Sequence, residues 1–370
     1  MLNFLTQLIP TLLTLGVLIF IHELGHFLAC RFAGVAVEKF SIGFGPELLH
    51  WKGKETQYSL SLIPFGGFVK PRGETSEEIE NRGGISDSRD FLSASRWNRF
   101  LILVAGVGMN FLFAYVLFVT VMGLGRPVLS PTVGGFVEGY PAALSGLAIG
   151  DRVVRLNGKS VGNWQDLTFE ILESDGKELE FLVARGEELH TIRVMPALED
   201  GRDIFGHPRQ VPRIGIKPSD QFVIERYGFG EAVIKGAEFE WRLTFLTYEA
   251  LWRLVTGQMS LKTISGPIGI ISMAGHAAQM GFVALLQFTG ILSVSLAVIN
   301  LLPIPALDGG HLFFLLIETV RRKQVSLALQ ERVTQFGFYF LMALMVLVVY
   351  NDLVNIGAID KLKSIFFPSS

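Results

Sequence analysis

His22-Glu23-Leu24-Gly25-His26 is the stretch on which the reading of this chain turns, because it stands near the end of an apolar run extending from about Phe4 to Ala29. On a helix, residues four apart share one face, so both imidazoles can reach a single ion. Glu23 lies beside them without occupying the same vertex. The pattern is that of a zinc site in which a carboxylate takes a proton from a water acidified by the ion, as that water attacks a carbonyl carbon. Two histidines and a glutamate are costly inside a membrane-length apolar run, and such groups mark function.

The rest of the chain agrees with a membrane setting. Of its 370 residues, 50% are hydrophobic and 18% charged, and a mean hydropathy of +0.43 is too apolar for an ordinary soluble protein. Further uncharged runs extend over about Phe100 to Gly125, Phe282 to Ile304 and Val333 to Tyr350, each near the roughly 20 residues a bilayer requires. No Lys or Arg precedes Arg31, so the first run lacks the basic start of a secretory signal and is expected to be a retained span. The second run carries Ala105, Gly106, Gly108 and Asn110, which would allow a close helix contact. The expected fold is an α-helical polytopic membrane protein with about four transmembrane helices, a membrane-associated β-hairpin region and an inserted small α/β domain.

Charge sets the expected orientation. Lys and Arg crowd residues 31–99 and recur at Arg321-Arg322-Lys323, so loops 31–99 and 321–332 are assigned to the cytoplasm. The segment between the second and third spans then lies outside it, as do both termini. The expected divisions are 1–125, with the first two spans and a β-rich loop; 126–218, a compact domain; 219–281, interfacial helices; and 282–370, with the last two spans. Within the compact domain, Phe181 to Ala184 and Thr191 to Val194 read as strands, and Asn157-Gly158 and Asp175-Gly176 as turns. Glu231 to Gly257 reads as an amphipathic helix, either at the membrane interface or packed on its neighbours.

A net charge of −2 and the lack of a basic block interleaved with aromatics argue against nucleic acid. Cys30 is the single cysteine, which excludes an internal disulfide and a cysteine metal cluster, so any metal is held by His, Asp or Glu. A catalytic zinc site takes about three protein ligands. Asp308, closing the third run within Asn300 to Gly310, is the preferred third ligand, with an N-cap as its alternative role. His311, His276, Glu38 and Glu47 are the rival ligands, whereas His50, His190 and His207 fall in loop or domain sequence without partner spacing.

A substrate that spans a bilayer hides its carbonyls in its own helix, and once unwound in lipid it needs new hydrogen-bond partners. Tyr58 to Ile63 alternates with strand period and Pro64 with Gly66-Gly67 makes a bend. Ser59, Leu60, Ser61, Gly66 and Gly67 are therefore candidates to bind an unwound substrate by strand addition, or else to form a hairpin covering the spans. Asn300, about two helical turns before Asp308, would clamp the substrate or make a polar contact between helices.

Together these residues resemble the site-2 protease group of intramembrane zinc metalloproteases, in particular bacterial members of the regulator-of-sigma-E type. The resemblance is carried by His22 to His26 and by Asn300 to Gly310 with its Leu307-Asp308-Gly309 element. Ser41 to Pro46, Pro64 to Lys70 and Ser265 to Gly269 extend it to nearly the whole chain. It implies Zn2+ held by His22, His26 and Asp308, Glu23 as base, and an enzyme of the bacterial inner membrane. The implied substrates are single-pass membrane proteins, such as an anti-sigma factor or remnant signal peptides, cut in regulated intramembrane proteolysis. Gly135 to Ala143 and Leu147 to Gly158 resemble a PDZ domain, which would contact the substrate or its new C-terminus. One copy is recognisable here, where some members carry two in tandem. A transporter would spread ionisable groups over several spans in inverted repeats, and a silent PDZ scaffold would lack Glu23 or a ligand; neither pattern is seen.

Overall fold

The computed structural model describes residues 2–75, 78, 87–202, 208–260, 265–323 and 325–355. They form two compact units: Met1–Val119, Ile234–Glu249 and Leu261–Ser370 make the first, and Thr120–Val233 with Ala250–Ser260 the second.

Among the described residues, four helices are long and apolar enough to cross a membrane: Gln7–Phe32, Arg96–Leu124, Phe282–Leu301 and Leu327–Val354. They lie in α1 (Leu2–Phe32), α2 (Arg96–Leu124), α6 (Phe282–Leu301) and α8 (Leu327–Asn355). Helix α1 ends where Gly34 takes φ 75°. The Val35 and Gly34 N–H groups then return to the Cys30 and Arg31 carbonyls at 2.9 and 3.3 Å, which satisfies the last turn. Gly25 lets α1 lie directly on α2, since a Cβ there would overlap the Ala105 carbonyl and reach Met109 Cγ at 2.8 Å.

Helix α5 (Pro267–Met280) packs on α1 and α6. Its first turn is capped from far along the chain: Asp352, buried at the end of α8, accepts from the Gly266, Ile268 and Gly269 N–H groups at 2.9–3.0 Å.

Between α1 and α2 the chain makes β1 (Val37–Lys52) and β2 (Gln57–Pro71), paired antiparallel with a register that doubles back. Residues 39–42 face 57–60 on one side, with numbers rising together, and 67–70 on the other, with numbers opposed; 47–52 pair with 57–61. Each long strand is thus folded on itself, at Gly43 and Gly45 (φ 88° and 85°) and at Gly66 (φ 112°). The lateral order is 47–52, 57–61, 39–42, 67–71, which leaves 67–71 at an edge.

The second unit opens with the short strands β3 (Arg126–Leu129) and β4 (Val133–Phe136) and has its own core. Strands β5 (Arg152–Leu156), β6 (Lys159–Ser160), β7 (Leu179–Arg185) and β8 (Glu188–Val194) form a sheet in the order β6-β5-β7-β8. Leu179, Phe181 and Val183 alternate inward from β7 onto Val153, Leu156 and Leu167. Asn157-Gly158 makes the β5–β6 turn with φ 49° and 79°, the double positive φ of a tight hairpin. Helix α3 (Trp164–Leu172) starts at Asn163, whose side chain accepts the Asp166 N–H at 2.9 Å. The expected boundary at 218 falls short, because residues Phe222–Glu225 return to pair with Arg126–Leu129. Helix α4 (Phe229–Val255) matches the expected amphipathic helix, with Trp241, Phe245 and Trp252 exposed.

Candidate active site

The motif sits within α1, one turn and a half before its end, so helical geometry alone brings His22 Nε2 to 3.2 Å from His26 Nε2. The third group arrives from the far end of the sequence. Helix α6 stops at Leu301, and α7 (Asp308–Arg321) begins after a loop in which Ala306 takes φ 80°. That loop lies flat on α7 because positions 309 and 310 lack side chains: a Cβ on Gly309 would overlap the Leu301 and Leu302 carbonyls, and one on Gly310 would come to 2.5 Å from the Ile304 carbonyl oxygen. Leu307 is the N-cap and makes no side-chain cap, so Asp308 does not fill the N-cap role; its carboxylate turns to the histidines instead. Asp308 Oδ2 is 3.1 Å from His22 Nε2 and 3.5 Å from His26 Nε2.

These separations suit a metal. A tetrahedral zinc site with bonds of about 2.0–2.1 Å has edges of about 3.3–3.4 Å, and the three ligand atoms stand 3.1–3.5 Å apart. Asp308 Oδ2 is also a buried oxygen short of a hydrogen-bond partner within the chain. Among the described residues this is the one group of three His, Cys, Asp or Glu placed to hold an ion. The rivals are engaged or apart from it: Glu47 pairs with Lys39 at 2.7 Å, Glu38 with Lys70 at 3.2 Å, and His276 lies on α5. His311 lines the same cavity without joining the triad.

The cavity, of about 160 Å³, is lined by His22, Glu23, His26 and Asp308 and by Phe68, Val69 and Glu74. Glu23 accepts a hydrogen bond from the Val69 backbone N–H. Gly67 lies against the same helix, where a Cβ would come within 2.9 Å of Ile19 and 3.2 Å of Glu23 Cγ. Asn300 Nδ2 stands 3.4 Å from His22 Nε2, so this residue reaches the site. Ser59 and Ser61 do not. Both are buried within the sheet, Ser61 Oγ bonding Ser41 Oγ at 3.3 Å, and residues 57–60 are paired on both sides, which corrects the expectation that their backbone could accept a further strand. Leu60 is in the same doubly paired segment.

Other groups at the site were not singled out as part of it by the sequence. His26 Nδ1 is 2.8 Å from the Ile102 carbonyl and His22 Nδ1 3.1 Å from the Asn110 side chain, both on α2. Glu74, from the loop after β2, joins the cavity wall, and burial followed by the Glu78 charge pushes its carboxyl up to about 7. The signal for Asn110 was present, as a polar side chain in an uncharged span needs a partner; nothing local indicated Ile102 or Glu74.

Four membrane-length helices, with two histidines and an adjacent glutamate on the first of them and an aspartate from the short helix α7 lining one cavity, define a polytopic membrane zinc metalloprotease. The chain matches the description of peptidase family M50 over residues 10–344, and it belongs to that family. It is 36% identical over 353 residues to a protein of Clostridium acetobutylicum named as a candidate zinc metalloprotease, covering 94% of this chain and 97% of that one. Relatives of the same name in Agrobacterium fabrum and Campylobacter jejuni are 33% and 31% identical, the alignments covering 96% and 95% of this chain and 97% and 94% of theirs. A solved PDZ domain, from an SdrC-like protein of Listeria monocytogenes, aligns with 24% of this chain and 86% of its own, at 21% identity and a TM-score of 0.20.

Proposed function

We propose that His22, His26 and Asp308 hold the zinc ion, that Glu23 is the general base, and that the enzyme cuts membrane-spanning segments of single-pass proteins in regulated intramembrane proteolysis. The observation that carries this is the meeting of the three ligand atoms, all within 4.8 Å, where the His22–His26 turn of the membrane-length helix α1 meets the start of α7, the short helix that follows the membrane-length α6. When bound, zinc supplies Lewis acidity for a water and for the scissile carbonyl. Glu23 takes the proton from the attacking water and is held in place by the Val69 N–H. Asn300, beside His22, clamps the substrate carbonyl.

The substrate backbone, unwound, needs a strand to pair with. The edge segment Gly67 to Lys70 suits this better than Tyr58 to Ile63, because its far side is occupied by 39–42 while Val69 turns its N–H to Glu23. A strand added there would lie across the base. The sheet thereby dips toward the membrane site.

The insert is PDZ-like in this reading. A groove of about 470 Å³ runs beside α3, lined by Trp164, Arg213, Gly215 and Lys217, which suits an extended chain end with a terminal carboxylate. The enzyme sits in the bacterial inner membrane, with the insert outside and loops 31–99 and 321–332 in the cytoplasm, as the Lys and Arg distribution favours.

The test is purification in detergent, zinc determination, and comparison of wild type with Glu23→Gln on a single-pass model substrate. Zinc retained with cleavage lost is expected. Equal cleavage would end the assignment of the base, and a cut confined to a soluble loop would end the intramembrane reading.

A further inference from the structure

We propose that Asn110 is a positioning residue for the metal centre: its amide oxygen accepts the Nδ1–H of His22, fixing the tautomer that leaves Nε2 free for the ion. This rests on the reading of His22 as a ligand.

A neutral imidazole has one N–H, so a ring that offers Nε2 to a metal carries its hydrogen on Nδ1. In a buried site that hydrogen needs an acceptor. Helix α2 meets the need for both rings in different ways. The Ile102 carbonyl, 2.8 Å from His26 Nδ1, can only accept, so the His26 tautomer is determined by backbone.

For His22 the neighbour is the Asn110 amide, with Nδ2 3.1 Å from Nδ1. With the amide nitrogen toward the ring, Nδ2 and Nδ1–H would both be donors, and Oδ1 is a buried atom without a partner. Half a turn of the amide replaces the donor–donor contact with a donor–acceptor one, since the two ends have the same shape and are told apart by their hydrogen bonds. Oδ1 then accepts the His22 Nδ1–H. Asn110 is fully buried, and its backbone carbonyl accepts the Ser293 hydroxyl of α6 at 2.8 Å, so the side chain is presented from a fixed point. The other role for such a residue is a polar contact that only holds helices together.

Zinc affinity by chelator competition on the full chain in detergent, together with the melting temperature of the metal-free protein, separates the two. Asn110→Ala is expected to weaken zinc binding by roughly 10–100-fold while the metal-free protein melts as wild type. Asn110→Asp, which can only accept, is expected to keep zinc far better than Asn110→Ala. A lowered melting temperature with zinc affinity intact overturns the proposal, as does an Asn110→Asp that binds as weakly as Asn110→Ala. Nitrogen NMR of labelled histidine in zinc-loaded wild type needs no variant: His22 protonated on Nδ1 supports the proposal, and His22 protonated on Nε2 overturns it. His22→Ala is the control, because zinc held at full affinity there would refute the ligand assignment and leave Asn110 without a role to test.

Discussion

A glycine decides whether the two histidines can work. Gly106 of α2 faces His26 so closely that a Cβ would overlap the imidazole and come within 2.7 Å of its Cε1. Gly106→Ala is therefore expected to turn the ring off its metal-binding pose and to lower both zinc content and cleavage at least ~10-fold, by the same logic as loss of an orienting partner. Gly108, two residues on, has open space around its Cβ position. Gly108→Ala should leave zinc and activity as they are, and metal analysis of the pair checks both statements; a Gly106→Ala enzyme with full zinc would show that the ring can shift without loss. The sequence placed both glycines in a close helix contact, and which one lies against the His26 ring depended on the rotation of α2 about its axis.

The element where sequence and structure part most usefully is the doubled sheet. Alternation at Tyr58 to Ile63 reports a strand correctly but says nothing of how many neighbours it has, since a central and an edge strand share the same period. Folding of β1 and β2 on themselves buries Ser59 and Ser61 and leaves 67–71 at the edge beside Glu23. Proline at Val69 removes the N–H that meets Glu23 and bars a strand from adding there. It is expected to abolish cleavage with zinc content retained, whereas Leu60→Pro breaks a segment paired on both sides and should unfold the sheet. Limited proteolysis with zinc and cleavage assays distinguishes these outcomes, and full cleavage by Val69→Pro would remove the edge from the mechanism. The loop before Asp308 behaves differently: what Gly309 and Gly310 admit is the chain's own loop at Leu301, Leu302 and Ile304, which lies against them.

For the whole molecule, two units with separate cores predict separable responses to acid. In the second unit Asp151 is fully buried and takes Arg185 Nε and Nη2 at 2.7 and 2.8 Å and the Ala148 N–H at 2.8 Å; the Arg185 bonds hold its carboxyl below the usual range. A depressed folded-state pKa contributes stability that is present above the unfolded value of about 3.9 and lost as pH falls through the folded value. Hydrogen exchange of β5, β7 and β8 in the full chain should speed up as pH drops below about 4 once intrinsic rates are corrected for, and Asp151→Asn should flatten that dependence. An unchanged pH profile in Asp151→Asn would assign the acid sensitivity elsewhere.

What the amino-acid sequence determined alone is what local chemistry carries. Spans follow from runs of uncharged residues, the histidine pair from a spacing of four on one helix, the proposed base Glu23 from its adjacency, and the Asn157-Gly158 turn from residues that tolerate positive φ. The tertiary structure alone decided which distant groups meet: that Asp308 joins His22 and His26 instead of capping α7, that α2 supplies the partners of both Nδ1 atoms, and that residue 69 borders Glu23. The physical reason is range. Periodicity and turn chemistry act over a few residues and are written in them, whereas the 285 positions between His22 and Asp308 are bridged by helix packing, whose close approaches at Gly25, Gly106 and Gly309 depend on how whole helices rotate and cross.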